Sequence, residues 1–473
     1  MSCIKYIFLN LFIVGWIFNL HACTIFSAKA KDGHVWAGNN EDYYLTFRSY
    51  LNVVTKTDTS FGYIYFSWWG RAGTPQGGVN EAGLFFDWNA LLPGKTIYKD
   101  FDKKKDFPGG SVALNHYFMR KCKTVQEVFD IYMQYRDPDL ESSQLHLADK
   151  YGNLGIIVAD SMWITKSNYQ VSTNYNVCHP DKDGMICWRF PIAESILRSN
   201  EPGLEIFREI CDSTSRKTGP CTSYSNIHDL TTGVIWFYFG MDYKKSYKTS
   251  INDLLEQGDT SFPFYRLFEN EPLVKVYKTY QSEGVKKSLK QLNGYDLPLM
   301  RKNEILRLLS LELIACDHKF ECFPFLSELM KSSTVDDDFL QRLNAVSLFS
   351  IDRKTEAIKE LKKYLTVNPT NTKTQVCLDH MQGKYEEGAN VKFALNGYKK
   401  AKYVFVDYIT YPNIKYFLVS KDGNWVGEFK LSPGEVYYTF NVDGKRVLDP
   451  KNTNIYTDTG DKDIKYNIIN VKN

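Results

Sequence analysis

Apolar and polar residues alternate along short runs through the first half of the chain, and the runs end at Gly, Asn or Asp. This two-residue period is typical of β-strands, and it predicts strands at 34–38, 61–68, 83–88, 154–160, 169–173 and 233–239. Apolar residues at helical spacing occur between them, at 110–120, 124–135 and 189–197. Many short strands with a few covering helices predict a layered α+β domain over residues 23–268.

The pattern changes to helical periodicity after residue 268. Three segments carry apolar residues on one helical face and charged residues on the other, at 299–316, 336–350 and 354–365. The last two resemble one helical pair of a tetratricopeptide repeat, but a single unit cannot bury its own apolar face. We therefore interpret residues 269–387 as a helical connector, tetratricopeptide-like in part, rather than as a peptide-binding array.

Strand patterning returns in the last part of the chain. Alternating runs at 403–408, 416–420, 427–431, 436–442 and 464–471 are separated by turns such as Lys421-Asp422-Gly423. This spacing predicts a small all-β sandwich of the immunoglobulin-like class over residues 388–473.

The first 22 residues have the pattern of a secretory signal peptide. Lys5 precedes an apolar run from Tyr6 to Leu20, and the small residue Ala22 stands before the expected cut. The run is short for a membrane span, and no cluster of Lys and Arg follows it. We therefore expect a secreted or periplasmic protein that begins at Cys23, with a retained N-terminal anchor as the alternative.

The charge balance and the cysteine content limit the kinds of partner, metal and cofactor that we expect. The chain has 58 Lys and Arg against 55 Asp and Glu, a balance that gives no reason to expect a nucleic-acid partner. No CxxC or HxxxH spacing accompanies the cysteines, so we expect no metal and no cofactor. Three cysteine pairs are close enough in sequence to form disulfides after export, with buried free thiols as the alternative: Cys178/Cys187, Cys211/Cys221 and Cys316/Cys322.

A cysteine that begins a mature chain carries a proton acceptor of its own. The thiolate is the nucleophilic form of cysteine, and the free α-amine titrates at about 8. That amine can accept the thiol proton and later return it to a leaving amine. Removal of residues 1–22 would give Cys23 this arrangement without a separate histidine.

The residues after Cys23 carry a family resemblance. Cys23-Thr24 opens a predicted strand, and a second strand leads into Gly38-Asn39-Asn40-Glu41-Asp42. These two segments resemble the opening of the choloylglycine hydrolase and linear-amide C–N hydrolase family, which includes bile salt hydrolases, penicillin V acylases and acid-ceramidase-like enzymes. The resemblance implies the αββα fold of N-terminal-nucleophile hydrolases, an acyl-enzyme on Cys23, and support of its α-amine by Asp42.

Further segments resemble the family in the same order, over about residues 23–268. The stretch 76–87 is similar to its Gly-x-Asn-Glu-x-Gly-Leu hairpin, and the resemblance implies an oxyanion donor near Asn89, with Trp88 as the alternative. Thr173-Asn174 matches a strand end whose amide completes the oxyanion hole. Trp188-Arg189-Phe190 resembles a helix start whose guanidinium lies near the nucleophile, and residues 222–238 resemble the late strand pair.

Asn39 departs from the family pattern. Many members have Arg at this position, where the guanidinium lowers the thiol pKa and contacts substrate. Asn39 is therefore the candidate substrate-binding residue, and a specific bile-salt activity is disfavoured. A Cys–His pair is the other way to activate the thiol, but four histidines lack a recognisable nucleophile context and are interpreted as structural: His34, His116, His146 and His228.

The last domain resembles the family 48 carbohydrate-binding module and the glycogen-binding module of AMP-activated kinase. The matching segments are 421–425, 431–434, 440–445 and 449–450. Two positions that are usually aromatic are altered, at 408–413 and at Arg446, and Trp425 falls on a predicted core position. We therefore expect a structural sandwich without glucan affinity, while Tyr408 or Tyr411 would be the platform for a weak glycan contact.

Three hypotheses remain open at this point. The first is an amidase that acts on a small-molecule N-acyl amide, with the acyl and amine parts unspecified. The second is a surface lipoprotein acylated on Cys23, since Leu20-His21-Ala22-Cys23 resembles a lipobox; acylation would remove the nucleophile or the base. The third is an acyltransferase that uses the same acyl-enzyme. Many members of the family assemble, so a homo-oligomer also remains open.

Overall fold

The computed structural model describes residues 23–91, 104–179, 187–332, 337–385, 387–408, 416–431, 433–457 and 465–472. The predicted signal peptide at 1–22, the side chain of Tyr408 and all of Tyr411 lie outside the described part. The corresponding predictions therefore remain predictions.

Six antiparallel strands form the first sheet. Their order is β12–β1–β2–β13–β14–β15, with β1 at Thr24–Lys29, β2 at Val35–Tyr43, β12 at Tyr169–Ser172, β13 at Cys221–Asp229, β14 at Val234–Phe239 and β15 at Tyr247–Ser250. Strands β2 and β13 are buried along almost their whole length, because helices cover one face of this sheet and a second sheet covers the other.

Eight antiparallel strands form that second sheet, in the order β11–β10–β9–β6–β5–β4–β3–β16. They are β3 (Ser49–Val54), β4 (Tyr63–Trp68), β5 (Gly77–Asn80), β6 (Leu84–Ala90), β9 (Ser143–Asp149), β10 (Leu154–Val158), β11 (Ser161–Ile164) and β16 (Thr260–Pro263). Two short strands, β7 (Lys105–Asp106) and β8 (Tyr135–Arg136), pair in parallel beside it.

The two sheets pack face to face between two helical layers. Phe66 of β4 stacks at 5.0 Å on Tyr224 of β13. Helices α1 (Gly110–Lys121) and α2 (Val125–Tyr132) share a core with the second sheet. Helices α3 (Arg189–Ser199) and α4 (Leu204–Thr214) pack on the first sheet, and α5 (Ile251–Leu255) follows β15. The prediction of a mixed architecture with large sheets is confirmed.

The helical region packs on the same core as the first sheet. It contains α6 (Pro272–Glu283), α7 (Val285–Gly294), α8 (Leu299–Ser310), α9 (Phe323–Ser332), α10 (Asp338–Ser350), α11 (Lys354–Val367) and α12 (Thr372–Met381). The helix predicted over 299–316 is present, but its last third is not α-helical. The α-helix ends at Ser310 and a π-helical turn occupies Leu311–Cys316.

This helical region encloses the segment that follows β2. The Phe47 ring stacks on Tyr277 of α6 with centroids 3.7 Å apart. The Phe47 backbone N–H donates to the buried carboxylate of Glu312 at 3.1 Å, and Arg48 donates to both oxygens of Asp317 at 2.9 and 3.0 Å. The helices therefore fix the carboxyl end of β2, which is the end that carries Asp42.

Phe47→Leu is expected to lower the free energy of unfolding by about 1–2 kcal/mol, because leucine cannot reproduce the ring stack on Tyr277. Urea unfolding would measure the loss. Tyr117→Leu, at an exposed position of α1, serves as the control and is expected to change stability by less than about 0.5 kcal/mol. Equal effects of the two substitutions would contradict the role given to the stack.

Two antiparallel sheets form the last part of the chain. Their strands are β17 (Val391–Leu395), β18 (Val404–Tyr408), β19 (Tyr416–Phe417), β20 (Val419–Lys421), β21 (Asn424–Phe429), β22 (Gly434–Val442), β23 (Lys445–Val447), β24 (Ile455–Thr457) and β25 (Lys465–Val471). One sheet has the order β17–β21–β20 and the other the order β19–β18–β22–β25–β24, with β23 beside β22.

Trp425 lies in the core of this last part of the chain, as predicted. It is 6% exposed and its indole N–H donates to the Tyr398 carbonyl at 3.0 Å. The immunoglobulin-like topology and the glycan contact stay predictions.

The described ranges contain nine cysteines. No disulfide joins any two of them, including the three pairs considered above. Within the same ranges, no helix is long and apolar enough to cross a membrane, and no group of His, Cys, Asp and Glu is arranged to hold a metal ion.

Candidate active site

Cys23 lies immediately before β1, opposite the end of β2. The antiparallel register pairs Thr24 with Asn40, so one further step places Cys23 opposite Glu41. The Cys23 Sγ is 3.4 Å from Glu41 Oε2, within hydrogen-bonding distance, and Cys23 is only 3% exposed. Strand alternation turns Cys23, Asn39 and Glu41 towards the second sheet.

Asp42 projects to the other face of β2, where a buried arginine holds it. Arg189, in the first turn of α3, donates through Nη1 to Asp42 Oδ2 at 3.0 Å and to Thr24 Oγ1 at 2.9 Å. The Thr222 hydroxyl donates to the other oxygen of Asp42. A register shift in β13 between Thr222 and Tyr224 keeps Thr222 level with Asp42.

The same guanidinium orients Asn174. Arg189 Nη2 donates to Asn174 Oδ1 at 2.6 Å, and Asn174 Nδ2 donates to the Ala90 carbonyl at 2.9 Å. These two contacts identify Nδ2 as the donor end of the Asn174 amide and direct it towards the end of β6. One arginine therefore couples Asp42, Thr24 and Asn174, and these charge-assisted contacts lie in a dry environment.

Asn89 approaches Cys23 from the second sheet. Its Nδ2 donates to the Cys23 carbonyl at 3.3 Å, and the side chain is fully buried in β6. The alternative donor, the backbone N–H of Trp88, is already bonded to the Gln76 carbonyl at 2.9 Å. The carboxyl end of β6, at Asn89 and Ala90, is therefore the part of the second sheet that faces the nucleophile.

Burial dominates the electrostatics of this cluster. It raises the pKa of the Cys23 thiol well above its usual value, and the neighbouring carboxyls of Glu41, Asp42 and Asp87 add to the effect. Burial likewise raises the pKa of Glu41 to about 8. The pKa of Asp42 is raised to about 6 by burial, against the opposing charge of Arg189. An unassisted Cys23 would therefore be a neutral thiol at neutral pH, so the site must supply a proton acceptor.

No protein-family model matches the chain, and no curated protein matches it. Among solved structures, it is similar to two variants of a conjugated bile acid hydrolase from Clostridium perfringens, each with a TM-score of 0.40 and 12% identity over 51% of this chain and 96% of that chain. It is also similar to penicillin V acylase from Agrobacterium tumefaciens, with a TM-score of 0.39 and 14% identity over 50% and 90% of the two chains. The function inferred for this chain stands on the contacts around Cys23.

Asn39 is held entirely by protein groups. Its Oδ1 accepts from Asn226 Nδ2 and its Nδ2 donates to Asp87 Oδ2, both at 2.7 Å. His228 Nε2 in turn lies 2.8 Å from Asn226 Oδ1. Burial lowers the pKa of His228 to about 3, so the ring is neutral and donates to the amide. Asn39 thus orients Asp87, one of the carboxyls that raise the pKa of the Cys23 thiol.

The remaining histidines are bonded away from Cys23. His146 lies between Ser27 and Ser172, at 2.8 and 2.9 Å. His34 pairs with Asp229 at 2.9 Å, and His116 with the Tyr63 hydroxyl at 2.8 Å. These contacts agree with their interpretation as structural residues.

Two residues of this cluster were not predicted from the sequence, Glu41 and Asp87. Alternation along β2 places Glu41 on the face of Asn39, and the pairing of β1 with β2 then places it opposite Cys23. Asp87 gives no such signal, since it reaches the site only through the packing of β6 on β2. Gly77 leaves room for Asp87: a Cβ at Gly77 would lie 2.3 Å from the Asp87 carboxylate.

Proposed function

We propose that this chain is an exported cysteine N-terminal-nucleophile hydrolase that cleaves linear, non-peptide amide bonds of N-acyl compounds through an acyl-enzyme on Cys23. The observation that carries the proposal is the contact set of Arg189. It links the strand end at Asp42, the strand start at Thr24 and the amide of Asn174 around one buried cysteine. A structural cysteine has no need of an oriented amide donor and a buried ion pair beside it.

The proposed reaction uses these groups in sequence. The Cys23 Sγ attacks the amide carbonyl, and the α-amine of the mature chain is available as proton acceptor. The oxyanion is stabilised by Asn174 Nδ2 and a backbone N–H near Asn89. A proton passes to the leaving amine, the C–N bond breaks, and water then hydrolyses the thioester. Arg189 and Asp42 position the donors and the chain start, and no cofactor takes part.

The burial of Cys23 favours an enzyme over a lipoprotein. Cys23 is 3% exposed, with the thiol hydrogen of Sγ directed to Glu41, and the chain runs from it directly into β1, whereas a lipoprotein usually continues from its acylated cysteine into a flexible linker. An acyltransferase would form the same thioester and transfer it to an amine instead of water. We propose hydrolysis as the main outcome and N-acyl amides as the substrate class.

The proposal is tested by trapping the acyl-enzyme. We expect that incubation of the mature protein with N-acyl p-nitroanilides, followed by acid quench and peptide mass mapping, finds one acyl group on the peptide that begins at Cys23. Adding hydroxylamine should release it. Turnover of these substrates with the acyl group on any other residue would contradict the proposal.

Asn174→Ala is expected to lower kcat by about 10²–10³-fold with little change in KM, because the amide donates mainly to the oxyanion that forms in the transition state. Steady-state kinetics on the best N-acyl substrate would measure it. Asn200→Ala, at the exposed end of α3, is the control and should retain wild-type kcat. A KM effect alone would place Asn174 in substrate binding instead.

A further inference from the structure

The face of β2 that carries Glu41 continues into an aromatic wall. Strand alternation puts Tyr43 on the same face, one step further from Cys23. The Tyr43 ring packs on Trp68 of β4 with centroids 4.7 Å apart, and Trp68 lies 6.4 Å from the ring of Tyr224. Tyr224 is the residue that pairs with Glu41 in β13. The three rings therefore form one aromatic surface that begins beside the nucleophile and ends at the half-buried Tyr43 and Trp68.

The helical region holds the last part of the chain near this wall. The π-helical turn at Leu311–Cys316 contacts the segment after β2, and the residues that follow the turn contact β18. His318 Nε2 lies 2.5 Å from Asp407 Oδ2, and the ring of Phe320 packs on Phe405 with centroids 6.4 Å apart. Phe405 and Asp407 are two residues apart, so they share one face of β18. That face of the sheet is therefore fixed against the helices that hold the end of β2.

The strand register places Tyr466 on the same face. Asp407 pairs with Thr439 of β22. One residue earlier in β22, Tyr438 pairs with Asn467 of β25. Continuing this antiparallel register by one step makes Thr439 level with Tyr466. Tyr466 therefore lies in the row of Asp407, two strands or about 10 Å away, on the face that turns towards the helices.

Tyr43 is the point at which these parts of the chain meet. Burial raises the pKa of the Tyr43 phenol, and the Cys316 thiol and the Tyr466 phenol raise it further. An interaction of this kind requires the groups to lie near one another. Cys316 is the last residue of the π-helical turn. The end of β2, the π-helical turn and β25 therefore come together at one edge of the aromatic wall.

We propose that the C-terminal sandwich forms part of the substrate-binding site, with Tyr466 as the residue that contacts the far end of a bulky acyl group. The inference rests on the proposed amidase function and describes the acyl part of its substrate. With the reacting carbonyl at Cys23, the acyl group extends along Trp68 and Tyr43 and reaches the ring of Tyr466. The preferred substrates are then N-acyl amides with a large apolar acyl group, because an acetyl group is too short to reach this ring.

The chemistry of the wall suits an apolar acyl group. Aromatic rings bind apolar and aromatic groups through large contact areas and edge-to-face packing. The Arg446 guanidinium lies 5.2 Å from the centre of the Tyr466 ring, a cation–π contact that orients the ring. Tyr466 takes no part in bond making and is a specificity-determining residue. Since it lies outside the layered domain at 23–268, selectivity for the size of the acyl group depends on the docked sandwich.

Tyr466→Ala is expected to raise KM for an N-phenylacetyl p-nitroanilide about 3–10-fold with kcat within about twofold of wild type, because the acyl group loses an aromatic contact. KM for the N-acetyl p-nitroanilide should stay unchanged. Tyr466→Phe keeps the ring and should behave as wild type towards both substrates. Tyr151→Ala, at an exposed tyrosine in the turn after β9, is the control and should change neither KM. Steady-state kinetics would measure these effects.

A cross-link tests the position of Tyr466 without turnover. In Tyr466→Cys, a short bis-maleimide is expected to join the new thiol to Cys316, as found by peptide mass mapping. Lys392→Cys, whose native side chain pairs with Glu428 on the outward face of the opposite sheet, should give no such product.

Equal changes in KM for the two acyl groups, no change in either, or the absence of the cross-link would overturn the proposal. A cross-link in a protein whose wild-type form turns over no N-acyl amide would instead overturn the proposed amidase function.

Discussion

Cys23→Ser is expected to lower kcat/KM for an N-acyl amide by about 10⁴-fold while the protein keeps its fold. A hydroxyl holds its proton far more tightly than a thiol, and an α-amine that titrates at about 8 cannot remove it efficiently. The residual rate would come from substrate binding and the oxyanion donors, as in other enzymes that lose the nucleophile. Serine is close to cysteine in size, so the strand pairing of β1 with β2 should remain.

The measurement is steady-state kinetics together with the mass of the quenched enzyme. Cys377→Ser, in α12, is the matched control, and we expect it to change kcat/KM by less than about twofold. Wild-type enzyme should accumulate acyl on the Cys23 peptide and Cys23→Ser should not. Turnover by Cys23→Ser at half of the wild-type rate would exclude Cys23 as the nucleophile.

Arg189→Met is expected to lower the free energy of unfolding by about 3–5 kcal/mol and to abolish measurable turnover. The substitution keeps side-chain volume but leaves Asp42 as a buried carboxylate without its countercharge, which is the costly way to break a buried ion pair. Asn174 also loses the donor that fixes its orientation. Urea unfolding and steady-state kinetics would measure the two effects.

Arg198→Met, on the exposed side of the same helix, is the control and should change stability by less than about 0.5 kcal/mol. Arg189→Met combined with Asp42→Asn should recover part of the lost stability, because the second change removes the unpaired charge. An additive double variant would contradict a direct interaction between the two side chains.

The same pair gives a pH dependence with a defined sign. The pKa of Asp42 is raised by burial to about 6, from a usual value of 3.8, so the folded protein binds the extra proton and this group favours folding most at low pH. Its contribution is lost as the pH rises from about 4 through 6. Without Arg189 the pKa of Asp42 rises further. The defect of Arg189→Met should therefore be larger at pH 8 than at pH 5.

The sequence predicts part of the two large sheets, chiefly the strands that are buried over most of their length. It does not predict β11, β15 and β16, which have four residues each and no fully buried residue. The run at 154–160 corresponds to β10 at Leu154–Val158, and the run at 233–239 to β14 at Val234–Phe239. The helix prediction over 299–316 fails after Ser310, because apolar spacing does not distinguish an α-helix from a π-turn. The π-helical segment carries Glu312, which accepts the Phe47 backbone N–H.

The candidate site was likewise predicted from the sequence only in part. Local motifs predicted Cys23, Asp42, Asn174 and Arg189 as one group. In the structure the guanidinium of Arg189 contacts Asp42, Asn174 and Thr24, the residue that follows Cys23. The contact of Glu41 with Cys23 follows from the strand register, which the sequence determines only once β1 is known to pair with β2. The contact of Asn39 with Asp87 depends on how the two sheets stack, and no pattern within either strand encodes it.

The role of Cys23 as nucleophile is tested most directly by the intact mass and N-terminal sequence of the protein recovered from its native host. We expect a mature chain that begins at Cys23, with an unmodified α-amine and a thiol that iodoacetamide labels once at that residue. Either a diacylglyceryl group on Cys23 or a chain that retains the residues before it would contradict this role.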